Sequence, residues 1–113
     1  MTINTLLLNA QSAANTVGVK DLLQTAPQNL TFYVTFSSGS TAGVVRLYTL
    51  ASAGDTATLG QQIGSDITLA SLTAGRTYAY EVTQRAYAAV AAVISTAVTG
   101  GGSPSVTVCL VAN

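Results

Sequence analysis

The chain has 113 residues, of which four are Lys or Arg, four are Asp or Glu and none is His, giving a formal net charge of +0. With 7% charged residues, against about 25% in a usual soluble domain, its cations at Lys20, Arg46, Arg76 and Arg85 are too few and scattered to displace counterions from nucleic-acid phosphates. The absence of His removes Ser-His-Asp and Cys-His nucleophiles and imidazole metal ligands.

In chain order, Ile3 to Leu8 is a plausible strand, and Ala10 to Ala14 is small and polar. The three leucines Leu6, Leu7 and Leu8 ahead of an Ala-rich stretch imitate a secretory leader. They lack a basic n-region and an apolar run of sufficient length, which predicts a leaderless product made in the cytoplasm. Val17 to Leu23 suits a strand with a turn or a short helix starting near Lys20, and an arm laid on a neighbouring molecule has the same pattern. Residues 1–22 therefore read as an N-terminal strand or arm, and 23–113 as a β-sandwich, in one domain overall.

Leu30 to Phe36 alternates strictly, with Leu30, Phe32, Val34 and Phe36 on one face and Thr31, Tyr33 and Thr35 on the other. Val44 to Leu50 follows, with Val45 and Leu47 on one face and Val44, Arg46, Tyr48 and Leu50 on the other. Between the two, Ser37-Ser38-Gly39-Ser40 and Gly43 supply turn chemistry for a hairpin or a short arch.

Ala51 to Asp66 is loop-like, punctuated by Gly54-Asp55, Gly60 and Gly64-Ser65-Asp66, with a short strand at Gln61-Gln62-Ile63. Alternation resumes over Ile67 to Leu72, and Ala74-Gly75 makes a turn. Thr77 to Thr83 directs Tyr78, Tyr80 and Val82 to a core and Thr77, Ala79, Glu81 and Thr83 away from it. Tyr87 to Val98 is rich in Ala but also in Val90, Val93, Ile94, Thr96 and Val98, which favours a strand covered on both faces. Its apolar run, Ala86 to Ile94, is far short of the ~20 residues that span a bilayer, so no membrane partner is expected. Gly100 to Pro104 turns the chain into a last strand, Ser105 to Val111, with Val106, Val108 and Leu110 inward and Cys109 read as a small core residue. Seven or eight short strands with Gly/Ser/Asn turns predict an all-β chain, a single antiparallel β-sandwich or jelly roll.

Three carboxylates, Asp55, Asp66 and Glu81, are the one catalytic device the composition permits. Asp55 and Asp66 each adjoin Gly or Ser, where Asp bonds its own backbone in turns, and no Asp-x-Asp-x-Asp spacing exists for Ca²⁺. Gly100-Gly101-Gly102 lacks the Lys-Ser/Thr and helix start of a phosphate loop. The reading is a non-enzyme with no catalytic, cofactor-binding or metal-binding residue, no cofactor and no small-molecule substrate.

What remains is binding. With 49% hydrophobic residues and a mean hydropathy of +0.47, the chain has little charge to keep its copies apart. That composition suits surface packed against a neighbour, or a Thr/Ser/Ala surface kept wet by hydroxyls. If the strands over Leu30–Phe36 and Val44–Leu50 pair, Tyr33, Arg46 and Tyr48 form an exposed patch of interface composition. In the alternative, Tyr33 and Tyr48 are a cross-strand pair within the sandwich. With Leu6, Leu7 and Leu8 of the N-terminal segment, these are the candidate interface residues.

The order of strand types resembles the small β-sandwich virion proteins of tailed bacteriophages, the head decoration or cement class. The resemblance is carried by the opening Thr5 to Ala10, the small residues Gln11 to Gly18, the aromatic strand Leu30 to Phe36, and the strand Gly43 to Leu50. Ile67-Thr68-Leu69, the Tyr-rich strand and the closing Ser105 to Val108 complete it, while Ala51 to Asp55 stands where such families show S-x-D-G. It implies a capsid decoration protein, a homotrimer or homodimer, bound to the major capsid protein on the capsid exterior and stabilising the head. A tail, fibre or baseplate module involved in tail assembly or host-surface binding is the alternative.

Overall fold

The computed structural model describes residues 3–18, 21–22, 29–52, 54–83 and 88–113; Lys20, Pro27, Arg85 and Tyr87 lie outside them. Among the described residues the chain forms eight strands. They are β1 (Ile3–Gln11), β2 (Asp21–Leu22), β3 (Asn29–Phe36), β4 (Ser40–Leu50), β5 (Gln61–Thr68), β6 (Thr77–Thr83), β7 (Ala89–Gly100) and β8 (Val106–Ala112). Two 3₁₀ turns, Ala57–Leu59 and Leu69–Ser71, flank β5.

The strands form two antiparallel sheets, β1-β8-β3-β6 and β2-β7-β4-β5. First pairs with last and so on inward: β1 with β8, β2 with β7, β3 with β6, β4 with β5. One long ribbon rolled on itself has this pairing, so the sandwich is a jelly roll. The Ser37-to-Gly39 turn is consequently an arch and not a hairpin: β3 lies in the first sheet, and β4 crosses to the second.

The core lies between the sheets. Leu30, Phe32, Val34 and Phe36 of β3 and Val106, Val108, Leu110 and Ala112 of β8 face Val45 and Leu47 of β4 and Val90, Ala92 and Ile94 of β7. Each large side chain taken from water here stabilises the fold by about 1.5–3 kcal/mol. β7 is buried on both faces, as its sequence predicts, because Tyr48, Leu50 and Ala57 cover Ala89, Ala91 and Val93 on the outer side.

Two local departures from alternation alter the sequence-based picture. In β1 the register slips between Leu6 and Leu8, so Leu7 and Leu8 both enter the core. Residues 3–11 are thus an edge strand paired with β8, with Leu7 and Leu8 in the core and Leu6 on the surface. In β5 the register jumps at Gly64, whose φ of +70° suits the bulge, and one strand runs from Gln61 to Thr68, joining the short strand read at Gln61-Gln62-Ile63 to the alternation from Ile67 across residues that read as a turn. Cys109 also differs: its neighbours Val108 and Leu110 point inward, so its half-buried thiol lies on the outer face, where it donates to Asn4 Oδ1 at 3.2 Å.

Candidate functional site

The candidate interface residues go to three different places. Tyr33 is on the outer face of the first sheet and 40% exposed. Arg46 and Tyr48 are on the outer face of the second sheet, on the far side of the sandwich, because β3 and β4 do not pair. The expected patch of Tyr33, Arg46 and Tyr48 is therefore divided. Leu7 and Leu8 are core residues, which leaves Leu6 as the surface member of the leucine trio, 43% exposed.

Tyr48 is only 7% exposed, and its ring packs in a cluster with Ala89 and Ala91. The small side chains of β7 make room for the ring. Arg46 donates to Asp66 through Nε at 2.9 Å and Nη2 at 3.1 Å, and Gln62 donates to the same carboxylate at 2.9 Å. These bonds hold the Asp66 carboxyl below its ordinary range, and Asp66 with Tyr48 raises Arg46 further. The second face is thus tied into its own network.

The outer face of the first sheet is different. Register places Thr107, Thr35 and Thr77 in one row across three strands, and Thr35 and Thr77 are bonded through their hydroxyls at 2.8 Å. The next row is Leu6, Cys109, Tyr33 and Ala79, and the third is Asn4, Val111, Thr31 and Glu81. Among the described residues the only charge on this four-stranded face is that of Glu81. Tyr33 stands in the middle with Leu6 two strands away, so two of the four large hydrophobic residues left exposed lie on one row. A neutral sheet with a central Tyr and rows of hydroxyls offers ring area and hydrogen bonds at little desolvation cost.

At the side of the sandwich an open cleft of ≈ 440 Å³ lies between the edge strands β5 and β6, floored by Phe32 and Leu47 and walled by Ile63, Tyr80 and Val82. Burial there pushes the Tyr80 phenol up. Asp66 and Glu81 both reach its rim, but Asp66 is engaged by Arg46. Asp55 accepts from the Ser52 backbone and hydroxyl at 3.1 and 3.2 Å, the turn role read from its Gly and Ser neighbours. Among the described residues no three of His, Cys, Asp and Glu come together as metal ligands, and no helix is long and apolar enough to cross a membrane. The alternation read from the sequence placed Tyr33, but the Thr rows beside it depend on cross-strand register, which sequence alone does not supply.

Fold and surface define the class: an antiparallel jelly-roll module that presents one neutral sheet face. Among solved structures the chain is similar to the SPBc2 prophage-derived protein YomS, with 20% identity and a TM-score of 0.64 over 99% of this chain and 92% of that one. A chain described with the disulfide-linked pili of Bacillus endospore appendages aligns at 12% identity and a TM-score of 0.49, covering 98% of this chain and 86% of that one. No protein-family model matches, and no curated protein matches either. The chain thus shares its fold with a prophage-derived protein along almost its whole length.

Proposed function

We propose that this chain is a non-enzymatic structural protein of a bacteriophage virion, a capsid decoration protein that docks on the outer surface of the major capsid protein lattice and stabilises the head. The observation that carries this reading is the neutral outer face of the β1-β8-β3-β6 sheet, with Tyr33 at its centre. The shared fold with a prophage-derived protein supports the phage context. A lattice offers the same contact many times over, so a decorating module can use modest, wide, uncharged contacts whose effect is multiplied by symmetry. A face with a single carboxylate pays little desolvation on docking and is little affected by salt.

The test is immunogold labelling of virions from a strain that carries the gene, with antibody raised against this chain. Label on the heads is the expected result. Label confined to the tail replaces the decoration role with the tail, fibre or baseplate reading, and unlabelled virions overturn both.

A further inference from the structure

We propose that the open side of the sandwich, β6 and the cleft beneath it, captures an extended segment of another protein. That segment adds as a strand to the free edge of β6, sets an apolar side chain over the cleft at every second position, and carries Lys or Arg opposite Glu81. The two sides of the molecule differ. On the side of β1 and β2 the chain closes its own sandwich: Leu7 and Leu8 are buried, and backbone N–H groups of Asn15 and Gly18 donate to Ile94 and Ala92 of β7, while that of Val98 donates to Ser12. On the side of β5 and β6 the inner-face residues Ile63, Tyr78, Tyr80 and Val82 are only half-buried, and the cleft of ≈ 440 Å³ reaches down to Phe32 and Leu47.

The edge selects an extended backbone, because a row of open N–H and C=O groups is satisfied by another strand. Among the described residues three of the four sheet edges are blunted: β1 slips register twice, β2 is two residues long, and β5 is bulged at Gly64. β6 keeps an unbroken one-to-one register with β3 from Thr77 to Thr83, contains no Pro, Gly or Lys, and has no described strand on its other side. Side chains of a strand laid there alternate between the two faces. Those beside Tyr78, Tyr80 and Val82 lie over the cleft, where apolar groups leave water. Those beside Ala79, Glu81 and Thr83 point to the outer face. Glu81 is exposed and makes no ion pair among the described residues, so a cation directly across from it is the complementary residue. A second copy of β6 does not supply that cation: by alternation Arg76 falls on the Tyr78 side of the strand, the face opposite to Glu81, and Arg46 is held by Asp66 on β4. The site does not depend on what the outer face of the first sheet docks on.

The experiment follows backbone amide NMR shifts of the isotope-labelled full chain during titration with capped heptapeptides. The probes are Ser-Val-Lys-Val-Thr-Val-Ser, the same peptide with Glu in place of Lys, and the same peptide with Pro in place of the central Val. The Lys peptide should give saturable shifts centred on Thr77 to Thr83 and on Ile63 to Ile67. The Glu peptide should bind about fivefold more weakly, and the Pro peptide, which cannot complete the ladder, should not bind. In Glu81→Lys, with its β fold confirmed by circular dichroism, the order of the Lys and Glu peptides should reverse. Shifts centred elsewhere, no saturation at about 1 mM peptide, binding of the Pro peptide equal to that of the Lys peptide, or an order unchanged in Glu81→Lys would each overturn the proposal. So would shifts at Thr77 to Thr83 that depend on protein concentration without peptide, which would make a second copy the occupant.

Discussion

Arg46 on β4 and Asp66 on β5 form a two-point clamp where their strands fall out of step, with Nε to Oδ1 at 2.9 Å and Nη2 to Oδ2 at 3.1 Å. Register passes from Val45 opposite Ile67 to Leu47 opposite Ile63, so Gly64, Ser65 and Asp66 together stand opposite Arg46. Gln62 closes the bulge from the other side by donating to Oδ1 at 2.9 Å. A residue that composition alone offers as a catalytic acid is thereby explained as the anchor of an edge bulge.

The clamp makes stability depend on pH in a defined direction. The bond from Arg46, then that from Gln62, lowers the Asp66 pKa below its ordinary value of 3.8. A group depressed on folding contributes stability above its unfolded value and loses it as pH falls through the folded one. Asp66→Asn should therefore lower the urea midpoint slightly near neutral pH, and the gap to the unaltered protein should close in acid. Because both side chains are well exposed, added salt should narrow the gap too. A gap that persists in acid would mean that the contact is not ionic.

Two glycines separate close approach from backbone conformation. A Cβ at Gly18 would land on the carbonyl oxygen of Leu7, a backbone atom that no rotamer change can move aside. Gly18→Ala should cost about 3 kcal/mol, the upper end for overpacking. Gly64 has φ of +70° with open space around it, so Gly64→Ala should cost only the left-handed penalty, about 1 kcal/mol. Urea denaturation of the two variants measures the difference, and equal losses would contradict this account.

How much of this was legible in the sequence depended on whether period-2 alternation was unbroken. β3, β6 and β8 alternate without interruption, and their faces are those the sequence predicts. Where a bulge intervenes the parity fails: Leu7 and Leu8 both turn inward, and β5 resembles a loop because Gly64 breaks it. Sheet membership was hidden for another reason. Ser37-Ser38-Gly39 suits a hairpin or an arch equally, and only the pairing of β3 with β8 and β6 shows that β4 has changed sheets. That one crossing separates Tyr33 from Arg46 and Tyr48. Within β8 the exception is Cys109: its apolar neighbours suggest the core, but its odd position in the alternation puts it on the other face.

The leucine trio provides a direct check on the bulge in β1. Leu7 is 1% exposed in the core, so Leu7→Ala should cost about 2–5 kcal/mol in urea denaturation. Leu6 faces outward beside Cys109, so Leu6→Ala should stay within about 0.5 kcal/mol. If β1 were a detachable arm, both changes would leave stability alone and deleting residues 2–14 would leave the β circular dichroism intact. With Leu7 and Leu8 in the core, that deletion should abolish the β signal.

The two tyrosines on opposite faces distinguish docking from folding. Tyr48 covers Ala89 and Ala91, so Tyr48→Ala should destabilise the protein by about 3 kcal/mol. Tyr33 is exposed on a strand face, and Tyr33→Ala should cost about 1 kcal/mol or less, mainly in strand preference. Binding should respond in the opposite order. A central aromatic in a neutral interface commonly contributes 2 kcal/mol or more, so Tyr33→Ala should weaken co-sedimentation with emptied capsids by about thirtyfold while the protein stays folded. If Tyr33→Ala decorates capsids as the unaltered protein does, the outer face of the first sheet is not the docking face. If a folded Tyr48→Ala variant loses binding instead, docking belongs to the second sheet, where the Arg46 and Asp66 network would meet the lattice.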